Sequence, residues 1–211
     1  MQIIAPTLGV SNYYAGLVRL QKRYSRGLSL GATYTYSKFL ANIGDPGSEI
    51  GNNAGPYSNF YNRRADYGPE ANDIRHRLTL NAVYEVPLGT GRRWLTNGTL
   101  GKVVGGWSIS NVTTVQTGAP FIVVTQTNSS NAFSAGAQRA NISGNPNLPS
   151  DQRKVGRWFN TGLFSQPSTY AFGNEGVGVL RGARFFNMDF SLLRELRITE
   201  AVRVQLRGGI V

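Results

Sequence analysis

The sequence predicts an all-β protein, an antiparallel transmembrane β-barrel segment, on three observations. Apolar and polar residues alternate with period two over long runs. Short turns alternate with long polar connections. Aromatic residues gather at two levels of the apolar face. Successive side chains of a strand point to opposite faces, so alternation of this kind gives a sheet one apolar and one wet side.

The first strand is expected over residues 12–24, with Tyr14, Val18 and Leu20 against Arg19, Gln21 and Arg23. Ser25-Arg26-Gly27 then reads as a tight turn, with Gly27 free to take positive φ. The second strand, 28–39, sets Leu28, Leu30, Ala32, Tyr34 and Tyr36 against Ser29, Gly31, Thr33, Thr35 and Ser37. Residues 40–73 form a long connection rich in Gly, Asn and Pro. The third strand, 74–86, opposes Leu78, Leu80, Ala82, Tyr84 and Val86 to Arg77, Thr79, Asn81 and Glu85. After a link at 87–105, a fourth strand over 106–118 alternates weakly, with Asn111 on the side led by Trp107 and Ile109, and extends toward Thr127 past a bend at Gly118 and Pro120. A second long connection covers 128–185. The fifth strand, 186–198, sets Phe186, Met188, Phe190 and Leu192 against Asn187, Asp189 and Ser191; Thr199-Glu200-Ala201 turns the chain into a sixth, 202–211, with Val202, Val204 and Leu206 against Arg203, Gln205 and Arg207.

These runs match the roughly 9–11 residues of a tilted membrane strand and exceed the five or six usual in soluble sheets. Their polar side carries Arg and Glu in mid-strand, as suits a wet lumen. Outer-membrane barrels have short periplasmic turns and long extracellular loops. On that rule the turns at 25–27 and 199–201 are periplasmic, and segments 40–73 and 128–185 face outward. Tyr14, Tyr34, Tyr36 and Phe186 then form an outer aromatic girdle, and Tyr24, Tyr84 and Trp107 a periplasmic one. Lys22, Lys38 and Arg194 share parity with the apolar residues; Lys22 and Lys38 lie near strand ends, whereas Arg194 reads as deeper.

Composition narrows the function. The 211 residues include no cysteine, which removes disulfide frameworks, thiolate metal sites and cysteine nucleophiles. The net charge is +11, but no run of Lys or Arg exceeds two residues, so nucleic acid is not an expected partner. His76 is the sole histidine, and no G-x-S-x-G motif or acidic cluster accompanies it; neither an enzyme, a metal site nor a cofactor is expected. The glycine-rich run Gly173 to Gly182 departs from G-x-G-x-x-G and opens no helix. Candidate ligand-contacting residues lie in the long loops: Tyr57, Tyr61, Arg63, Arg64, Tyr67, Arg139 and Trp158. Aromatic rings beside guanidinium groups suit sugars, peptides or siderophores, and equally suit packing of the loops on one another.

Several motifs occur in order along the chain. Tyr14-Ala15-Gly16-Leu17 through Lys22-Arg23-Tyr24-Ser25, and Tyr34-Thr35-Tyr36-Ser37-Lys38, are followed by Asp73-Ile74-Arg75-His76-Arg77 and Val86-Pro87-Leu88-Gly89. Gly105-Gly106-Trp107, Gln116-Thr117-Gly118-Ala119-Pro120-Phe121, Trp158-Phe159-Asn160, Phe172-Gly173-Asn174 and Asn187-Met188-Asp189-Phe190-Ser191 come next. In this order and spacing the chain resembles the C-terminal part of the barrel of Oar-like TonB-dependent receptors. The resemblance implies a barrel of roughly 22 strands closed by an N-terminal plug, with solute uptake driven by the TonB complex acting through that plug. Residues 1–211 are then expected to be a partial barrel domain in the bacterial outer membrane, with the plug and the final strands outside it. The partners implied are outer-membrane lipid, the TonB complex and a solute of unknown identity. An outer-membrane adhesion or structural barrel is the alternative, followed by a soluble β-sandwich binding module with a basic surface.

Overall fold

The structure, a computed structural model, describes residues 9–42, 59, 62–89, 92–94, 104–125, 127–131, 138–197 and 202–210. Among the described residues there are six long strands: β1 (Ser11–Ser25), β2 (Leu28–Ala41), β3 (His76–Glu85), β4 (Trp107–Gln116), β5 (Phe185–Arg197) and β6 (Arg203–Ile210). They pair in chain order in one sheet, and the two-residue strand Gly68–Pro69 adds to the end of β2. Every pairing from β2 to β6 is antiparallel. This is the all-β meander that the alternation predicts. The turn Thr199-Glu200-Ala201 lies outside the described residues.

The chain divides into two compact units. The strand unit comprises Gly16–Tyr36, His76–Gln116 and Arg184–Val211; the loop unit comprises Met1–Ala15, Ser37–Arg75 and Thr117–Ala183.

Within the strand unit, register gathers most apolar side chains on one face, with Asn111 and Thr113 of β4 as polar exceptions. Leu28 pairs with Tyr84, which pairs with Ile109, which pairs with Leu192. Ala32, Leu80, Thr113 and Met188 form another rung, and Tyr34, Leu78, Val115 and Phe186 a third. On the opposite face Thr33, Thr79, Thr114 and Asn187 make a rung of hydroxyls and an amide. The ten residues of β4, at about 3.3 Å each and tilted by about 40°, span roughly 25 Å, the height of the apolar band of a membrane barrel.

Polar groups on the apolar face are satisfied locally. The Asn111 side chain donates to the Asp189 carbonyl at 3.3 Å and accepts from the Thr113 hydroxyl at 2.9 Å. Arg194 is not deep, contrary to the sequence expectation. It pairs directly with Trp107, the first residue of β4, and its guanidinium carbon stands 5.3 Å from the centre of that indole. Position 194 is therefore at the rim, where a cation on an aromatic face is favourable.

Tyr24 departs from the periplasmic girdle assigned to it. Its hydroxyl donates to the Glu85 carboxylate at 2.7 Å, and Glu85 belongs to the polar face, opposite Ser108. Arg19 and Gln21 line a hollow with Gly31, Thr33 and Asn81 on that same face. Gln21 and Tyr24 have opposite parity, so the alternation of β1 slips by one residue between them, as a bulge does. The turn that follows has φ of 52° at Arg26 and 81° at Gly27. Two consecutive positive φ values define the type I′ hairpin, whose twist matches that of the strands. A Cβ on Gly27 would meet the Glu85 carbonyl oxygen at 2.9 Å.

A second departure concerns the fourth strand. β4 does not continue toward Thr127: Pro120–Phe121 pairs with Leu180–Arg181, and Val124–Thr125 with Gln138–Arg139, in separate two-stranded sheets. A third small sheet joins Asn141–Ile142 to Phe164–Ser165. All buried hydrophobic side chains among the described residues, Ala41, Ile122, Ala140, Leu148 and Leu180, belong to the loop unit. The strand unit leaves Leu80 39% and Phe186 63% exposed on its apolar face. A sheet with this pattern takes its apolar contacts from lipid.

Leu80→Arg should therefore destabilise the full-length protein by about 2–4 kcal/mol, while Thr79→Arg, one residue away, should cost under ~1 kcal/mol. Urea unfolding of the protein refolded in lipid vesicles measures both.

Candidate functional site

The loop unit is organised around buried charge. Asp73 is fully buried. One carboxylate oxygen accepts the Phe39 backbone N–H at 2.7 Å. The other is bound by Arg181 and lies 3.4 Å from the Arg75 guanidinium. Arg181 also donates to the Asp73 carbonyl at 2.8 Å and to the Gly118 carbonyl at 3.2 Å. Burial alone would raise the Asp73 pKa; the Phe39 amide and the Arg181 and Arg75 guanidinium groups outweigh it and hold the carboxyl below its ordinary range. One carboxylate thus ties together the end of β2, the approach to β3 and the segment before β5.

Two further buried carboxylates repeat the device. Glu175 is 2% exposed, and both its oxygens accept the Val123 N–H at 3.0 Å. Asp66 pairs with Arg139 at 2.7 Å, and Arg139 also donates to the Ala65 carbonyl at 2.8 Å. Gly173 sits where an added Cβ would fall 2.0 Å from the Arg139 carbonyl oxygen, which is why the glycine-rich segment can pass so close. That segment serves packing, with Arg181 at its end.

The candidate ligand residues fall into separate constellations. Tyr57 and Tyr61 lie outside the described residues. Arg63 and Arg64 are exposed on the one-turn helix Arg63–Asp66. Tyr67 follows it, 40% exposed, with its hydroxyl accepting from the Asn12 amide at 2.9 Å. Arg139 is buried behind this helix with its guanidinium committed to Asp66, so it anchors the residues that display Arg63 and Arg64. Trp158 belongs to a second constellation. Its indole N–H donates to the Arg181 carbonyl at 2.7 Å, and the Arg153 guanidinium stacks 5.7 Å from its ring. It lines a concavity with Val155, Arg157, Phe159 and Asn160, and the Phe159 ring stands 5.8 Å from that of Phe121 and, edge-on, 5.6 Å from that of Phe164. Guanidinium groups, amides and aromatic faces presented in this way suit a polar or anionic solute.

Asp73, Glu175 and Arg181 were not singled out from sequence. Asp73 opens the motif Asp73-Ile74-Arg75-His76-Arg77, but nothing in a linear pattern distinguishes a carboxylate that will be enclosed from one that will be solvated. In the strand unit, His76 Nδ1 lies 2.7 Å from the Tyr34 hydroxyl, and the His76 ring is 5.2 Å from that of Tyr36. Among the described residues no group of three or more His, Cys, Asp or Glu is placed to hold a metal ion.

Residues 4–211 match the family described as "Outer membrane beta barrel domain". No curated protein and no solved structure matches the chain.

Because the Asp73 carboxyl is held below its unfolded value, the stability it contributes is present above about pH 4 and is lost as pH falls through the folded value. Asp73→Asn should weaken the loop unit by about 3 kcal/mol at neutral pH and remove this part of its acid sensitivity. Limited proteolysis of the full-length protein at pH 7 and pH 3 reads both effects as cleavage rates within the loop unit.

Proposed function

The chain belongs to the outer membrane β-barrel domain family, and from that premise we propose that it forms part of a TonB-dependent receptor barrel that binds a solute and imports it through the lumen. Its place is the bacterial outer membrane. The loop unit supports the transport reading best. It is a folded body with its own apolar residues and three buried carboxylates, Asp66, Asp73 and Glu175, not a bare connection between strands. Ordering so many loop residues has a large entropic cost, offset here by internal ion pairs and hydrogen bonds. The result is a preorganised surface carrying Arg63, Arg64 and Tyr67 in one place and Trp158 in another, which suits solute capture. The ordered resemblance to Oar-like TonB-dependent receptors points the same way.

On this reading the partners are outer-membrane lipid, the solute, and the TonB complex engaged through a plug domain outside these residues. The work is binding and gating, without bond chemistry. A second reading, adhesion, draws on the exposed apolar side chains of the loop unit: Val155 is 103% and Tyr170 77% exposed. Such tips suit contact with another cell or with matrix.

Crosslinking of the full-length protein to TonB in intact cells separates the two. Transport predicts a TonB crosslink that increases when the solute pool is supplied, and a loss of that increase in Arg63→Ala/Arg64→Ala. Absence of any crosslink, together with cell–cell adhesion that disappears in Val155→Ser/Tyr170→Ser, would establish adhesion instead.

A further inference from the structure

The polar face of the strand unit carries a recess lined by donors that nothing else engages. Arg19 and Gln21 of β1, Ser29, Gly31 and Thr33 of β2, and Asn81 of β3 line it together. It holds about 120 Å³. A single water needs only about 10–15 Å³, so a carboxylate or a tetrahedral oxyanion fits. Its shape depends on the pairing of Gly31 with Asn81. A Cβ on Gly31 would overlap the Asn81 side-chain oxygen, so glycine is what lets the amide lie across β2 at this rung. Asn81 is half-way along β3, which puts the recess at mid-height of the sheet.

The chemistry of the recess is that of an anion site. The Arg19 guanidinium is exposed and has no hydrogen-bond or ion-pair partner among the described residues, and the same holds for the Gln21 and Asn81 amides. None of the lining residues is acidic. Of the acidic groups on this face among the described residues, Glu85 is held by Tyr24 and Arg92, and Glu195 by Arg203. Asp189 lies two strands beyond Asn81 on its rung and accepts from the Asn187 amide at 3.1 Å. Arg77, exposed and with no side-chain partner among the described residues, stands on the rung of Thr35 and Gln116 and adds positive charge to the same face. A guanidinium presents its N–H groups in a planar fork that matches two oxygens of a carboxylate or phosphate. Amides and hydroxyls beside it supply the remaining donors.

We propose that this recess is a subsite for an oxyanion, the carboxylate or phosphate of a solute, gripped by Arg19 and completed by Gln21 and Asn81. The inference rests on the reading of the barrel as a solute importer, in which the polar face lines the lumen and a subsite half-way along the wall takes the solute on its way through. It names the class of solute, one that carries an anionic group.

Full-length protein in a detergent free of phosphate and carboxylate provides the test. Inorganic phosphate, acetate and glucose are titrated separately, and binding is read from broadening of the ligand NMR signals. Phosphate or acetate should bind saturably, and glucose should not. Arg19→Gln should weaken anion binding about ten-fold, through loss of a charge-assisted hydrogen bond. Arg19→Lys, which keeps the charge without the fork, should fall between the two. Arg19 has no partner to lose, so both variants keep the folded sheet. Gly31→Ala leaves the charge unchanged and should also weaken binding, because the added methyl displaces the Asn81 amide. Arg207→Gln, on the same face but in β6, should leave the affinity unchanged. Stronger binding of phosphate assigns a phosphorylated solute, and stronger binding of acetate a carboxylate one. Absence of saturable binding by either anion, binding that survives Arg19→Gln, an equal loss in Arg207→Gln, or Arg19-dependent binding of glucose would overturn the proposal. The readout needs neither TonB nor transport. An Arg19-dependent anion site in a protein that gives no TonB crosslink would therefore keep the recess and discard the import reading.

Discussion

The backbone ladder that runs from β2 to β5 holds residues of one face against residues of the same face at every rung. Leu30 meets Ala82, which meets Asn111, which meets Phe190, and on the other face Gly31 meets Asn81, Val112 and Asp189. A slip of one residue in any of these pairings would turn a whole strand over and exchange its two faces. Within hydrocarbon that slip would also strand polar side chains, each at a cost of several kcal/mol. The same ladder satisfies the backbone N–H and C=O groups, which lipid cannot do. Register is therefore the constraint on which the two-faced sheet depends, and the membrane is what enforces it.

The loop unit obeys different rules. It buries small apolar residues, Ala41, Ala140 and Leu180 among them, and fixes its geometry with carboxylates that accept backbone N–H groups or arginine. Irregular backbone leaves many donors without a ladder partner, and an enclosed carboxylate can accept several of them. Asp73 and Glu175 do so for Phe39 and Val123. Such devices give a loop body shape without long strands. The Asp73 carboxyl, held below its ordinary range, also makes the stability of that unit sensitive to acid.

Much of the sheet was legible in the sequence because period two survives without knowledge of partners. Strands were expected at 28–39 and 186–198 and are found at Leu28–Ala41 and Phe185–Arg197. Three features were hidden. The slip in β1 turns Tyr24 toward Glu85, and a strict parity rule carries no signal for a bulge. The rim position of Arg194 follows from its pairing with Trp107, a residue far away in the chain. The Asp73–Arg181 pair joins two loops of unrelated composition, so only tertiary contact shows it. Of the candidate ligand residues, Arg63, Arg64, Tyr67 and Trp158 were found by residue type, whereas the same criterion could not show that Arg139 would be enclosed against Asp66. Residue type and local pattern report what a side chain is able to do; enclosure depends on partners distant in sequence.

The apolar face of the strand unit meets lipid, and its outer strands β1 and β6 each have one long neighbour among the described strands. Sedimentation velocity of residues 1–211 expressed alone, in plain buffer and after refolding in detergent, tests it most directly. In buffer the exposed face formed by Leu30, Tyr34, Leu80, Tyr84 and Phe190 should drive association, and detergent should not yield a stable monomeric barrel. A monodisperse, detergent-free monomer that unfolds cooperatively would contradict the account, because such a sheet would have covered its apolar face without lipid.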